Sequence, residues 1–158
     1  MRSQKISERS EIDAIIRRCD VCNVAMVDLD NKPYVLPMNF GYDGEFLYLH
    51  SDPKGKKADI LEQRPEVCVS FSTDHQLYRQ NDRVACSFSM KYRSALLFGQ
   101  VGFVEGKEEK QRILNIIMKQ YTGREDFEYS TPALNNVRVY RVSIDRLEGK
   151  VFGWRETR

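Results

Sequence analysis

Apolar residues recur along this chain with two periods, and the periods divide it into elements. Ile12, Ile15 and Ile16 follow the i, i+3, i+4 spacing of one helical face, with Ser7 or Ser10 as candidate caps. Ile113, Ile116, Ile117 and Tyr121 repeat that spacing and predict a second amphipathic helix beginning near Lys107. A shorter helix is predicted from Lys56 to Arg64, stopped by Pro65, because a residue before proline avoids helical geometry. Elsewhere the period is two. Val67, Val69 and Phe71 alternate with Cys68, Ser70 and Ser72, which marks a half-buried strand. Further strands are predicted over residues 21–28, 34–40, 45–50, 84–90, 92–104 and 137–144, with a short one over 151–154. Leu29 to Lys32 reads as a turn, the chain around Pro132 as loop, and Thr73 to Arg83 as a polar connection. Gly99 and Gly102 interrupt the longest strand, where a barrel corner would need a bend.

Short strands joined by hairpins, with few helices, describe a mainly-β fold: a small antiparallel barrel of six to seven strands with peripheral helices, in one domain over residues 1–158. Asp43-Gly44 is a strong tight-turn signal. If it is a two-residue turn, Asn39 lies opposite Tyr48 and Pro37 opposite His50, so these four share a face. Pro37 forfeits a ladder hydrogen bond and therefore marks an edge or a break.

Charge and cysteine usage narrow the chemistry. Lys and Arg number 25 against 23 Asp and Glu, so no strong nucleic-acid or membrane field is expected over the molecule. The longest apolar runs are about four residues, far short of the roughly 18 that span a bilayer. Residues 1–10 are polar and mixed in charge, so a cytoplasmic location is the default expectation. Cys19 and Cys22 have C-x-x-C spacing, yet they close a helix and enter a strand, and no second ligand pair accompanies them. With Cys68 and Cys86 they are expected to be packed or surface thiols, and no metal site is expected.

The most informative segment runs from Leu49 to Lys57. A strand ends in His50 and Ser51, a Pro/Gly turn follows, and a helix opens among Lys54, Lys56 and Lys57. Lysines oppose the macrodipole at a helix start unless an anion joins them and the free backbone N–H groups there. Lys91-Tyr92-Arg93-Ser94 offers stacking, a bidentate cation and a hydroxyl. His75 has three readings: surface residue, general acid or haem ligand.

These motifs, taken in order, resemble the pyridoxamine 5'-phosphate oxidase-like superfamily, nearest to its nitroimidazole-resistance branch. Pro33 to Tyr42 resembles "PYxVPxNFGY", Leu47 to Ser51 resembles "LYFHSA", and Gly55-Lys56-Lys57 resembles "GRK". Pro65 to Val69 is similar to "NPxVCF", Lys91 to Ser94 to "MxYxSV", and Leu147 to Lys150 to a closing "xTGK". The resemblance implies a split β-barrel of Greek-key type and a homodimer with FMN at the subunit interface. By position it implies Lys56 and Lys57 at the FMN phosphate, with His50 and Ser51 nearby. Pro37, Met38 and Asn39 would run along the isoalloxazine, Tyr92, Arg93 and Ser94 would complete the site, and His75 would face the substrate as the catalytic candidate. The implied chemistry is transfer of electrons from reduced FMN to a small organic acceptor, with nitro-aromatic compounds as a candidate class. Haem binding or breakdown through His75 or His50, and a non-catalytic flavin or B6-phosphate binder, are the competing readings. Oxidation of B6 phosphates is not expected, because the C-terminal stretch offers only Trp154 and Arg155 where those enzymes carry an arginine/histidine motif.

Overall fold

The structure is a computed structural model and describes residues 2–154, so Arg155 lies outside the described residues. Strand β1 (Ser3–Ile6) leads into helix α1 (Arg9–Arg18), then β2 (Cys22–Val27), β3 (Pro33–Met38), β4 (Gly41–Tyr42) and β5 (Phe46–Ser51). Helix α2 (Lys56–Gln63) precedes the long strands β6 (Glu66–Arg79) and β7 (Phe88–Val104). Helices α3 (Lys107–Thr122) and α4 (Thr131–Asn135) come before β8 (Arg138–Ser143) and β9 (Arg146–Phe152).

The strand order is β3-β2-β6-β7-β8-β5-β4, with β9 and β1 branching from β7, and the sheet does not close on itself. This is a split β-barrel. Strand β7 belongs to both halves: Tyr92 to Phe98 pair with β9, while Val101 to Val104 pair with β8. The change of partner falls at Gly99, where a Cβ atom would stand 1.7 Å from the Ser143 carbonyl oxygen. Only glycine fits that corner. Gly102 differs, since a Cβ there would make an ordinary 3.7 Å contact.

The inward positions of β2, β5, β6 and β7 build one core, including Val24, Leu47, Leu49, Val69, Phe71 and Leu97. Helix α1 closes it with Ile12, Ile15 and Ile16, the face anticipated from their spacing. Phe40 meets Phe71 edge-on, with ring centroids 5.2 Å apart. Helix α3 lays Ile113, Leu114 and Ile117 over Tyr48 and Val139 in a second, smaller cluster. Cys19 and Cys22 are packed thiols. Burial pushes them up to about 11 and about 12, and they donate to the Ile15 and Met38 carbonyls.

Several elements differ from the pattern-based expectation. Neither Ser7 nor Ser10 caps α1; Glu8 holds that position without a side-chain bond. Ala85–Ser87 form a short 3-10 turn rather than a strand, and the polar stretch after Thr73 is strand as far as Arg79. Strands β6 and β7 prolong each other there, with Leu77 opposite Met90 and Tyr78 opposite Ser89. Among the described residues nine strands result instead of six or seven, because β1 is added at β9 and β4 stands apart from β3. The loop expected around Pro132 contains α4, which Ser130 caps by accepting from the Ala133 N–H at 3.3 Å.

The expected hairpin register also shifts. The Asp43 carboxylate accepts from the Glu45 and Phe46 N–H groups, which widens the turn and sets Gly41 against Tyr48. Pro37 instead pairs with Asn23 of β2, so it does not face His50, and β3 is an edge strand as its proline implied.

Candidate functional site

Five of the anticipated site residues line two recesses that share no lining residue: Ser51, Lys56 and Lys57 in one, His75 and Arg93 in the other. The first is a pocket of about 210 Å³ at the start of α2, lined by Tyr34, Leu36, Ser51, Lys54, Lys56 and Lys57 among others. Gly55, at φ 125°, turns the chain into the helix in a backbone region that side chains avoid. No side chain caps α2, so its first backbone N–H groups retain their donors.

The two lysines of this pocket are not equivalent. Lys56 Nζ lies 3.2 Å from Asp28 Oδ2 and 4.3 Å from the centre of the Tyr34 ring. Asp28 also accepts from the Lys32 and Asp30 N–H groups at 2.9 and 3.0 Å, which fixes the turn over residues 28–32. The Lys32 N–H contributes most to holding its carboxyl below the usual range, and the Lys56 ammonium adds to it. Lys57 has no ion pair among the described residues, and burial lowers its affinity for the proton. The Asp52 carboxylate of the same pocket acts on Lys57 in the opposite direction without forming an ion pair, and a half-buried cation with no direct partner is costly unless an anion arrives. The residues therefore fit a phosphoryl group, with Lys57 as the principal cation.

Alternation sends the two residues at the end of β5 to opposite faces. Ser51 shares a hydrogen with the Tyr140 hydroxyl at 2.7 Å and lines the pocket. His50 is held below its ordinary 6.5 by burial first and by the Lys57 charge second, so it is neutral at pH 7. Pro37 and Asn39 are exposed on the edge, whereas the Met38 side chain is buried in the core. Only the backbone of Met38 is left for a ligand.

The Lys91–Ser94 segment splits in the same way. Tyr92 and Ser94 point to the outer face of the sheet, where Tyr92 stacks on Phe152 with ring centroids 5.9 Å apart. Arg93 points to the α1 side and joins His75 in the second recess. That cleft measures about 690 Å³ and lies among α1, the β6–β7 ribbon and β9. Asp74 Oδ2 accepts from Arg93 at 2.8 Å and from Arg18 at 2.9 Å, while the Trp154 indole N–H donates to the Asp74 carbonyl at 3.0 Å. Asp74 adopts φ 56°, and the β6–β7 register shifts beside it, between Thr73 and Gln76. His75 is exposed, with Nε2 2.7 Å from Ser72 Oγ.

Comparison with known proteins places this architecture. The sequence profile described as pyridoxamine 5'-phosphate oxidase matches residues 8–151. A candidate 5-nitroimidazole antibiotic resistance protein from Bacteroides thetaiotaomicron is 44% identical, with a TM-score of 0.85 over 96% of this chain and 88% of that one. The chain belongs to the pyridoxamine 5'-phosphate oxidase family. An FAD- and haem-binding protein from Mycobacterium smegmatis shares the fold, with a TM-score of 0.81 at 22% identity over 98% of this chain and 76% of that one. So does a flavocytochrome from Azotobacter vinelandii, with a TM-score of 0.80 at 20% identity over 95% and 70%. No curated protein is a match. Among the described residues, no helix of this family member is long and apolar enough to cross a membrane.

Sequence reasoning about this member of the oxidase family missed Arg18 and Asp74. They come from elements 56 residues apart, and each looked like ordinary surface charge. The one available signal was an acidic residue near the start of a polar stretch that proves to be strand as far as Arg79.

Proposed function

We propose that this member of the pyridoxamine 5'-phosphate oxidase family binds FMN and passes electrons from it to a small organic acceptor, with nitro-aromatic compounds the class to try first. The observation that carries the reading is Lys57: a half-buried cation with no direct ion pair among the described residues, at an uncapped helix start beside Ser51, with Asp52 the carboxylate of the same pocket. Lys57, the Ser51 hydroxyl and the first N–H groups of α2 hold the phosphate, and Lys56 supports them while bound to Asp28. FMN supplies the hydride and electron chemistry. The chain's part is orientation: the exposed edge of Pro37 and Asn39, with the Met38 backbone, carries the flat ring. Neutral His50 leaves the phosphate to the lysine charge rather than adding its own. The choice of nitro-aromatic acceptor follows the 44% identity to the Bacteroides protein.

The active form in this reading is a homodimer. Its support is the outward face of the sheet, where Val27 and Val35 are 47% and 59% exposed beside half-buried Tyr92, Leu96 and Phe98. Tyr92 and Ser94 would reach the flavin of the second subunit across that face. His75 and Arg93, in the other recess of the same chain, stand as the catalytic and binding candidates that the family motifs imply.

The test is reconstitution. The purified chain mixed with FMN and desalted is expected to keep the yellow flavin spectrum and to run at twice the mass of one chain by light scattering. Failure to retain FMN would overturn the cofactor, and a Soret band in the purified protein would replace it with haem. A monomeric holoprotein would overturn the dimer alone.

A further inference from the structure

The α1 cleft is built like a ligand site of its own. Its floor is apolar, from Ala14 and Ile15 of α1 and Val151 of β9, and Trp154 stands as a wall. Its charge is uneven. Arg18, Arg93 and Lys91 gather around Trp154 and Asp74, with Lys91 Nζ 4.7 Å and Arg93 Cζ 5.3 Å from the Trp154 ring. Against these three cations stand two carboxylates, Asp74 and Glu11. Among the described residues only Asp74 pairs with the arginines, and both reach the same oxygen. Each guanidinium thus gives Asp74 one of its five N–H donors through that contact and keeps the others. His75 adds an imidazole at the edge.

A cleft of about 690 Å³ lies within the range of small-molecule sites. Apolar floor, aromatic wall and two partly used guanidiniums are complementary to a flat ring bearing one carboxylate. The ring takes the floor, and the carboxylate bridges the arginines beside Asp74, where guanidinium geometry favours a planar anion. We propose that the cleft among α1, the β6–β7 ribbon and β9 binds an aromatic monocarboxylate, anchored by Arg18 and Arg93. The cleft shares no lining residue with the α2 pocket; the flavin reading also draws on its His75 and Arg93, but binding of the carboxylate requires no flavin.

Trp154 is the chain's single tryptophan, so its fluorescence reports on this cleft alone. The full-length protein is titrated with benzoate and with benzamide, its uncharged counterpart, by calorimetry and by Trp154 emission. Benzoate is expected to bind saturably with a change in emission, and benzamide at least tenfold more weakly. Arg18→Met, at a half-exposed position in the last turn of α1, is expected to weaken benzoate at least tenfold, about 1.4 kcal/mol. The Lys56→Ala/Lys57→Ala protein is expected to bind benzoate as the parent does. Absence of saturable benzoate binding overturns the proposal, as does equal affinity in Arg18→Met. Loss of benzoate binding in the double lysine variant also overturns it, because the carboxylate would then be sitting at α2.

Discussion

The α2 pocket and the α1 cleft both gather cations, but they hold them differently. At α2 one lysine is tied to Asp28 while its neighbour Lys57, half-buried, makes no direct ion pair among the described residues and feels Asp52 only at a distance. In the cleft, one carboxylate oxygen restrains two arginines at once. The first arrangement leaves a charge waiting for an anion and is small enough to grip only its head. The second keeps charge largely satisfied and offers volume and apolar surface instead. A charge deficit marks an anion subsite, whereas a shared counter-ion marks a place where a larger ligand competes for donors.

The largest expected effect lies at α2. Replacing Lys56 and Lys57 together by Ala should lower FMN affinity at least tenfold, about 1.4 kcal/mol, by fluorescence titration. Unchanged affinity would mean that the phosphate sits elsewhere and that the contrast between the recesses is misdrawn. Next comes Asp74→Asn in the cleft, which should cost about 1 kcal/mol in chemical denaturation at low salt and less at high salt. The same variant should tighten benzoate, since both arginines lose their shared competitor. A smaller effect concerns pH. His50 is depressed when folded, so its neutral form contributes stability above its ordinary 6.5, and that stability is lost as pH falls through the lower folded value. Denaturation curves between pH 7.5 and about 5 should therefore fall less steeply for His50→Gln than for the parent. Smallest is Lys56→Met alone, expected to change stability by under about 0.5 kcal/mol because its pair with Asp28 is exposed on the lysine side. It should leave most of the FMN affinity to Lys57.

What could be seen beforehand was whatever repeats locally. The isoleucines of α1 and α3, the alternation in β6 and the lysine-rich start of α2 each lie within a few neighbouring residues. Register was less visible, because the Asp43 carboxylate organises a wider turn than Asp-Gly alone suggests, and β3 leaves for another partner. The slip is by two residues, which preserves the inward and outward faces. Strand β1 was invisible: Ser-Gln-Lys-Ile has no strand pattern and is ordered by pairing with Gly149 to Phe152. The cleft was hidden for the same reason. Arg18, Asp74 and Arg93 come from three separate elements and Trp154 from the bend after β9, and nothing in the spacing of one announces another.

The β1–β9 pairing has a consequence for the order in which the molecule can assemble. Residues lining the α2 pocket all fall between 34 and 58, so they leave the ribosome as one block. The cleft needs Ile6 from one end of the described chain and Val151 and Trp154 from the other. It cannot form before residue 154 has been made, and the Ser3–Phe152 pairing beside it closes the longest loop among the described strand pairs. During translation the α2 segment is therefore present well before the cleft, and of the two recesses β9 lines only the latter.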